Sequence, residues 1–234
     1  MAERTIVVVG GTSGIGRELA ATLVARGDRV VLTGRDAGRA ASVAAELGDR
    51  ASGIALELSE PEGIAAQLAS VGAVDGLVLA AVDRDANTVR EYDIARATRL
   101  VTLKLIGYTE TVHALLGRLV ESRETGIVLF GGRAKDAPYP GSTTVSTING
   151  GIDGLTRTMA LELAPMRVNA IHPGIIGDSP FWAGKEAPLA GYRSRTPGGE
   201  LATMVDIVAA SIFLLDNQGM SGTSIDVDRG WRLT

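Results

Sequence analysis

Short runs of β-branched and aliphatic residues alternate along the chain with Ala- and Leu-rich stretches of helical period. Strands are predicted over 5–9, 29–33, 51–56, 76–80, 126–130, 167–171 and 223–226, and helices over 14–25, 37–46, 61–70, 94–122, 145–163 and 203–214. One strand feeding one helix, many times over, is the pattern of a doubly wound parallel α/β sheet. The first strands are apolar almost throughout, as expected where helices cover both sheet faces. No repeat, low-complexity tract or linker interrupts this rhythm, so a single Rossmann-like domain over 1–234 is expected. Residues 176–200 depart from it, being rich in Pro and Gly and carrying Phe181, Trp182 and Tyr192. A long irregular insertion in a compact domain is more often a substrate lid than a linker. The three aromatics then either wall an apolar substrate or simply pack the lid down.

Composition narrows the function classes. The 234 residues carry 23 Lys and Arg against 27 Asp and Glu, a formal charge of −4. That balance gives no support for nucleic-acid or anionic-membrane binding. With no Cys, thiol catalysis, disulfides and thiolate metal sites are excluded, and no metal site is read. The 45% hydrophobic content comes in short runs, none near the roughly 20 residues that span a bilayer. The opening Met-Ala-Glu-Arg-Thr has no basic region followed by an apolar stretch. A cytoplasmic globule is the expectation.

The clearest chemical motif follows the first strand directly: Gly10-Gly11-Thr12-Ser13-Gly14-Ile15-Gly16-Arg17, leading at once into an amphipathic helix. Glycines allow a tight turn and let backbone N–H groups approach a pyrophosphate, while the helix N-terminus adds about half a positive charge. Any strand-to-helix turn can use glycine; placement after the first strand is what favours a dinucleotide.

The spacing of Gly10, Gly14 and Gly16 resembles the short-chain dehydrogenase/reductase family. The resemblance extends through Val74-Asp75-Gly76-Leu77-Val78, Gly154-Leu155-Thr156-Arg157, Arg167-Val168-Asn169-Ala170-Ile171-His172-Pro173-Gly174 and the tail from Ser221-Gly222 to Asp226-Val227-Asp228. It implies cofactor contacts from Gly10, Thr12, Ser13, Gly14, Ile15, Gly16, Leu58, Ala80, Pro173, Gly174 and Ile176. At the end of the second strand, Gly34 stands where NAD-dependent members usually place an acid, and Arg35 where NADP-dependent members commonly place the 2′-phosphate ligand. Arg35 favours NADP(H), with NAD(H) as the alternative; a solvated loop charge is the other reading of Arg35. Three departures bear on the cofactor: Glu57 replaces a usual Asp, Ala80-Ala81-Val82 replaces an Asn-Asn-Ala-Gly segment, and Asp178 replaces a Thr that contacts the cofactor. An acid at 178 would repel pyrophosphate unless Ser179 takes over. The resemblance also implies a small-molecule substrate and a homodimer or homotetramer joined through the helices at 94–122 and 145–163.

The same resemblance implies a tetrad in which a Tyr protonates a carbonyl, a Lys lowers that Tyr pKa, a Ser polarises the carbonyl and an Asn holds a relay water. An unperturbed phenol, with a pKa near 10, needs such a cation to act at neutral pH. Counting from Gly154-Leu155-Thr156-Arg157, the Tyr and Lys positions fall on Val145 and Asn149; the Ser pair that closes the strand at 127–130 reads Gly131-Gly132, and the Asn of the step Leu103-Lys104-Leu105-Ile106-Gly107 is Lys104. Losing a positioned general acid costs about 100- to 10,000-fold, roughly 3–5 kcal/mol, so ordinary carbonyl reduction is disfavoured. Lys104 and Asn149 are candidate catalytic residues by exchange, with Lys104 either pointing into the pocket or snorkelling to solvent. Ser142, Thr144, Ser146 and Thr147 read as turn and cap chemistry, His172 as structural at a strand end and His113 as packing. Three functions stay open. One is an atypical NADP(H)-dependent oxidoreductase acting on an iminium or activated alkene. Another is a nucleotide-binding pseudoenzyme or scaffold, and the third a non-redox lyase, isomerase or cyclase.

Overall fold

The computed structural model describes residues 3–83 and 85–233. Seven parallel strands form one sheet in the order β3-β2-β1-β4-β5-β6-β7: β1 Thr5–Val9, β2 Arg29–Gly34, β3 Ala51–Ala55, β4 Gly76–Leu79, β5 Gly126–Phe130, β6 Arg167–Pro173 and β7 Ser224–Val227. The helices are α1 Gly14–Ala25, α2 Ala37–Leu47, α3 Ile64–Gln67, α4 Ile94–Val101, α5 Gly107–Leu115, α6 Thr143–Glu162, α7 Glu186–Arg193 and α8 Met204–Asp216.

Alternation along each strand splits the core in two. Ile6 and Val8 of β1 pack with Leu19 and Leu23 of α1, Val43 of α2 and Leu214 of α8, whereas Val7 and Val9 pack with Tyr108, Val112 and Leu115 of α5 and Ile152 of α6. Side chains of period two therefore feed both faces, which is why the central strands β1, β4 and β5 carry almost no polar residue. Chain direction reverses its order between β1 and β4, and a crevice at such a switch point, beyond the strand carboxyl ends, is where open α/β sheets bind ligands. Among the described residues no helix is long and apolar enough to cross a membrane.

The differences from the predicted elements have local causes. β6 runs on to Pro173 because β7 extends the ladder, pairing His172 with Asp226 and Pro173 with Val227. The helix predicted over 61–70 is a 3-10 turn at Pro61–Gly63 followed by the single turn α3. The helix predicted over 94–122 is interrupted by a π turn at Thr102–Ile106 and ends at Leu115. Beyond it the chain is claimed by Val74, whose N–H bonds the Arg118 carbonyl at 2.8 Å and whose carbonyl takes the Val120 N–H at 2.9 Å. The irregular stretch 176–200 contains α7, although Pro188 and Gly191 interrupt its helical signal. His113 is exposed rather than packed.

Candidate active site

A cavity of about 1080 Å³ lies across the carboxyl ends of the strands. Its nucleotide side is the turn between β1 and α1. Gly10 takes φ +84°, and a Cβ on Gly16 would lie 2.2 Å from the Gly10 carbonyl oxygen, so the turn closes only with glycine at both places. At Gly14, with φ +53°, the space a Cβ would occupy is open. Thr12, Ser13 and Ile15 complete this wall, Leu58 and Ala80 flank it, and Arg35 stands at the end of β2. Asp36 beside it is engaged as the N-cap of α2, its Oδ1 accepting the Arg39 N–H at 2.6 Å. Asp178 is turned away: its carboxylate accepts the Met204 N–H at 2.8 Å at the start of α8, while Ser179 lines the cavity. Glu57 accepts from the Ser59 N–H and hydroxyl. Burial works to raise its pKa, but those bonds and Arg99 outweigh it and hold the carboxyl below its ordinary value.

Pro173, Gly174 and Ile176 line the middle of the cavity, facing Gly132 and Asn149. Asn149, from α6, is only 6% exposed, and its carboxamide has no hydrogen-bond partner among the described residues. A Cβ on Gly132 would lie 2.9 Å from Asn149 Nδ2, so the amide occupies the volume a side chain at 132 would need. Under the neighbouring Gly131 the imidazole of His172 fills the space still more closely, 2.2 Å from where a Cβ would stand. The Gly132 N–H donates to His172 Nδ1 at 3.0 Å, so His172 carries its proton on Nε2 and donates it to Asp153 Oδ1 at 2.8 Å. Burial lowers the His172 pKa and outweighs the carboxylate beside it, so a neutral imidazole donates to the ionised Asp153 and the two do not form an ion pair. His172 is thus structural, as its place at a strand end suggests.

Lys104 neither snorkels to solvent nor reaches the cavity wall. It is 1% exposed, on the π turn, and its Nζ donates to the Tyr108 hydroxyl at 3.1 Å. Tyr108 in turn donates to the Ala81 carbonyl at 2.7 Å, and Ala81 does line the cavity. Burial pulls the Lys104 pKa from 10.5 to about 7 and pushes the Tyr108 hydroxyl well above 10. Val145 also stays off the wall.

The far half of the cavity holds Phe181, Trp182 and Tyr192, together with residues that sequence reasoning missed: Arg133, Trp231 and Arg232. Arg133 is 4% exposed and paired with Asp136, Asp226 and Asp228 at 2.5–3.0 Å. The sequence signal for it was the pair of tail acids Asp226 and Asp228, which needed a cation once β7 lay beside β6. Trp231 had no local signal beyond being one of two Trp in the chain.

A parallel sheet whose carboxyl ends carry a glycine turn, a helix N-terminus and a basic residue just after β2 has the form of a dinucleotide-binding α/β domain. Residues 4–188 match the short chain dehydrogenase family, so the chain belongs to that family and is an oxidoreductase of its type. It is 29% identical over 233 residues to the 3-oxoacyl-(acyl-carrier-protein) reductase FabG of Vibrio harveyi, covering 96% of this chain and 95% of that protein. A 3-oxoacyl-(acyl-carrier-protein) reductase with bound NAD from Brucella melitensis superposes with a TM-score of 0.86 at 26% identity, covering 97% and 90% of the two chains. A small-chain dehydrogenase in complex with NADPH gives 0.84 at 28% identity, covering 99% and 100%.

Proposed function

We propose that the chain transfers hydride between NADP(H) and a small organic substrate that needs little acid assistance, an activated alkene or an iminium. The observation that carries this reading is Asn149: at the place of an acid–base pair stands a buried carboxamide that can donate a hydrogen bond but cannot give up a proton at neutral pH. Bound NADPH supplies the hydride. The Gly10 to Gly16 turn fits the pyrophosphate, with an open face at Gly14 and Asp178 turned away from it. Arg35 fits the 2′-phosphate, unopposed because Asp36 caps a helix. Pro173, Gly174 and Ile176 hold the nicotinamide side.

For a conjugated alkene, hydride adds at the β-carbon, the electron pair gathers on the carbonyl oxygen, and water protonates the α-carbon. Asn149 Nδ2 donates to that oxygen, and proximity supplies most of the remaining acceleration. Gly132 and Val145 contribute no proton. Lys104 is a positioning residue, acting through Tyr108 on the Ala81 segment of the wall.

Titration with NADPH and NADH, followed by a turnover screen of activated alkenes and cyclic imines against simple ketones, tests the reading. NADPH binds more tightly than NADH, and Arg35→Ala weakens NADPH about 10- to 100-fold, the worth of a charge-assisted hydrogen bond, while sparing NADH. Failure to bind either nucleotide moves the reading to a pseudoenzyme. Turnover with no net change in cofactor oxidation state moves it to a non-redox lyase, isomerase or cyclase.

A further inference from the structure

The chain has three Phe, two Trp and four Tyr, and it spends them unusually. Only Phe130 and Tyr108 are buried in the core, whereas both Trp, with Tyr139, Phe181 and Tyr192, line the cavity at the strand carboxyl ends. Four of these rings form a continuous run. Phe181 meets Trp182 at 4.8 Å between centroids, Trp182 meets Tyr192 at 5.6 Å and Tyr192 meets Trp231 at 5.9 Å, with interplanar angles of 67–79°. All four are half-buried. Edge-to-face contacts fix ring orientation without stacking the π-faces on one another. The run joins elements far apart in sequence: the segment after β6, α7 and the C-terminal turn Trp231–Leu233. Cations already attend three of its rings, Lys185 Nζ at 3.5 Å from the Phe181 centroid and 5.9 Å from that of Trp182, and Arg195 Cζ at 5.3 Å from that of Tyr192. A further cation there would meet like charge; a neutral ring would not.

From this we infer that the far half of the cavity is a stacking wall for a neutral, flat aromatic or conjugated substrate, with Trp231 a specificity-determining residue. This deepens the hydride-transfer reading and rests on it, selecting the conjugated alkene over the charged iminium.

The test is binding to protein saturated with NADP⁺. The probes are trans-chalcone, a flat neutral enone with two aromatic rings, and cyclohex-2-enone, which has the same reactive group and no aromatic ring. Because Trp182 and Trp231 are the chain's only tryptophans, indole quenching reports this wall alone, and equilibrium dialysis gives Kd. Chalcone is expected to quench the indoles and bind at least about tenfold more tightly than cyclohexenone. Trp231→Leu is expected to weaken chalcone about five- to tenfold, the range of an aromatic contact, leaving cyclohexenone and NADP⁺ within twofold. Equal affinity of the two probes, or an equal loss of both in Trp231→Leu, overturns the inference. Discriminating binding, with no hydride transfer to either probe when NADPH replaces NADP⁺, would sustain the wall and refute the proposed reaction instead.

Discussion

Lys104 offers a thermodynamic test that needs no substrate. An ammonium that titrates at 10.5 in the unfolded chain and at about 7 when folded loses about 1.4 kcal/mol for each tenfold fall in proton affinity, on the order of 5 kcal/mol in all. Between pH 7 and 10.5 the unfolded chain holds a proton at this site that the folded chain has released, so stability rises with pH by about 1.4 kcal/mol per pH unit. The penalty is fully present below pH 7 and gone above 10.5. Lys104→Met keeps the volume, removes the charge and leaves Tyr108 its own donated bond to Ala81. Urea unfolding of both proteins from pH 6 to pH 10 measures the difference, and other titrations common to the two cancel. The Met variant is expected to be more stable by several kcal/mol at pH 6, by roughly 3 at pH 8, and by less than about 1 at pH 10. A constant difference across the range, or a less stable Met variant at pH 6, would refute a buried Lys104 of lowered pKa.

Four further outcomes follow from the structure. Gly131→Ala sets a Cβ against the His172 ring, which is pinned by hydrogen bonds on both nitrogens; it should cost about 1–3 kcal/mol and lower Tm by about 2–4 °C for each kcal/mol. Gly132→Ala meets only the free end of Asn149, so thermal melts should change little while turnover of an activated alkene falls about tenfold, the worth of a single displaced donor. Asp178→Ala removes the acceptor for the first N–H of α8 and should cost about 0.5–2 kcal/mol without altering NADPH affinity. In NMR titration, His172 should ionise below 6.5, since burial disfavours its charged form. Its protonation also removes the acceptor for the Gly132 N–H. The unfolded chain takes this proton first as pH falls, so the site contributes stability that is lost below 6.5.

Most of the scaffold could be read from periodicity because sheet and helix impose it on every residue. β1, β5 and α1 fall at their predicted bounds, and the glycine turn was visible because close backbone approach admits no other residue type. Tertiary claims on the chain were not visible: nothing near Leu119 announces that Val74 will pair beside it, and α7 forms despite Pro188 and Gly191. Asp178 shows the same limit at the site. Its charge was readable, but its direction depends on where the start of α8 lies.

The relation between Lys104 and Asn149 shows why a motif exchange does not by itself predict chemistry. By the family resemblance, lysine and asparagine are expected at each other's places, which on paper keeps an ammonium and an amide in one pocket. The π turn adds a residue to the helical repeat just at Thr102–Ile106 and turns both Leu103 and Lys104 inward. Lys104 and Tyr108, four apart, then satisfy each other inside the protein, a pairing that helical spacing permits but that only the added residue makes a buried one. Asn149, on an uninterrupted α6, keeps the cavity-facing position. On the proposed reading the two residues thus divide into one that faces the ligand and one that shapes the wall behind it, and the chemistry offered at the wall is that of a donor which cannot ionise.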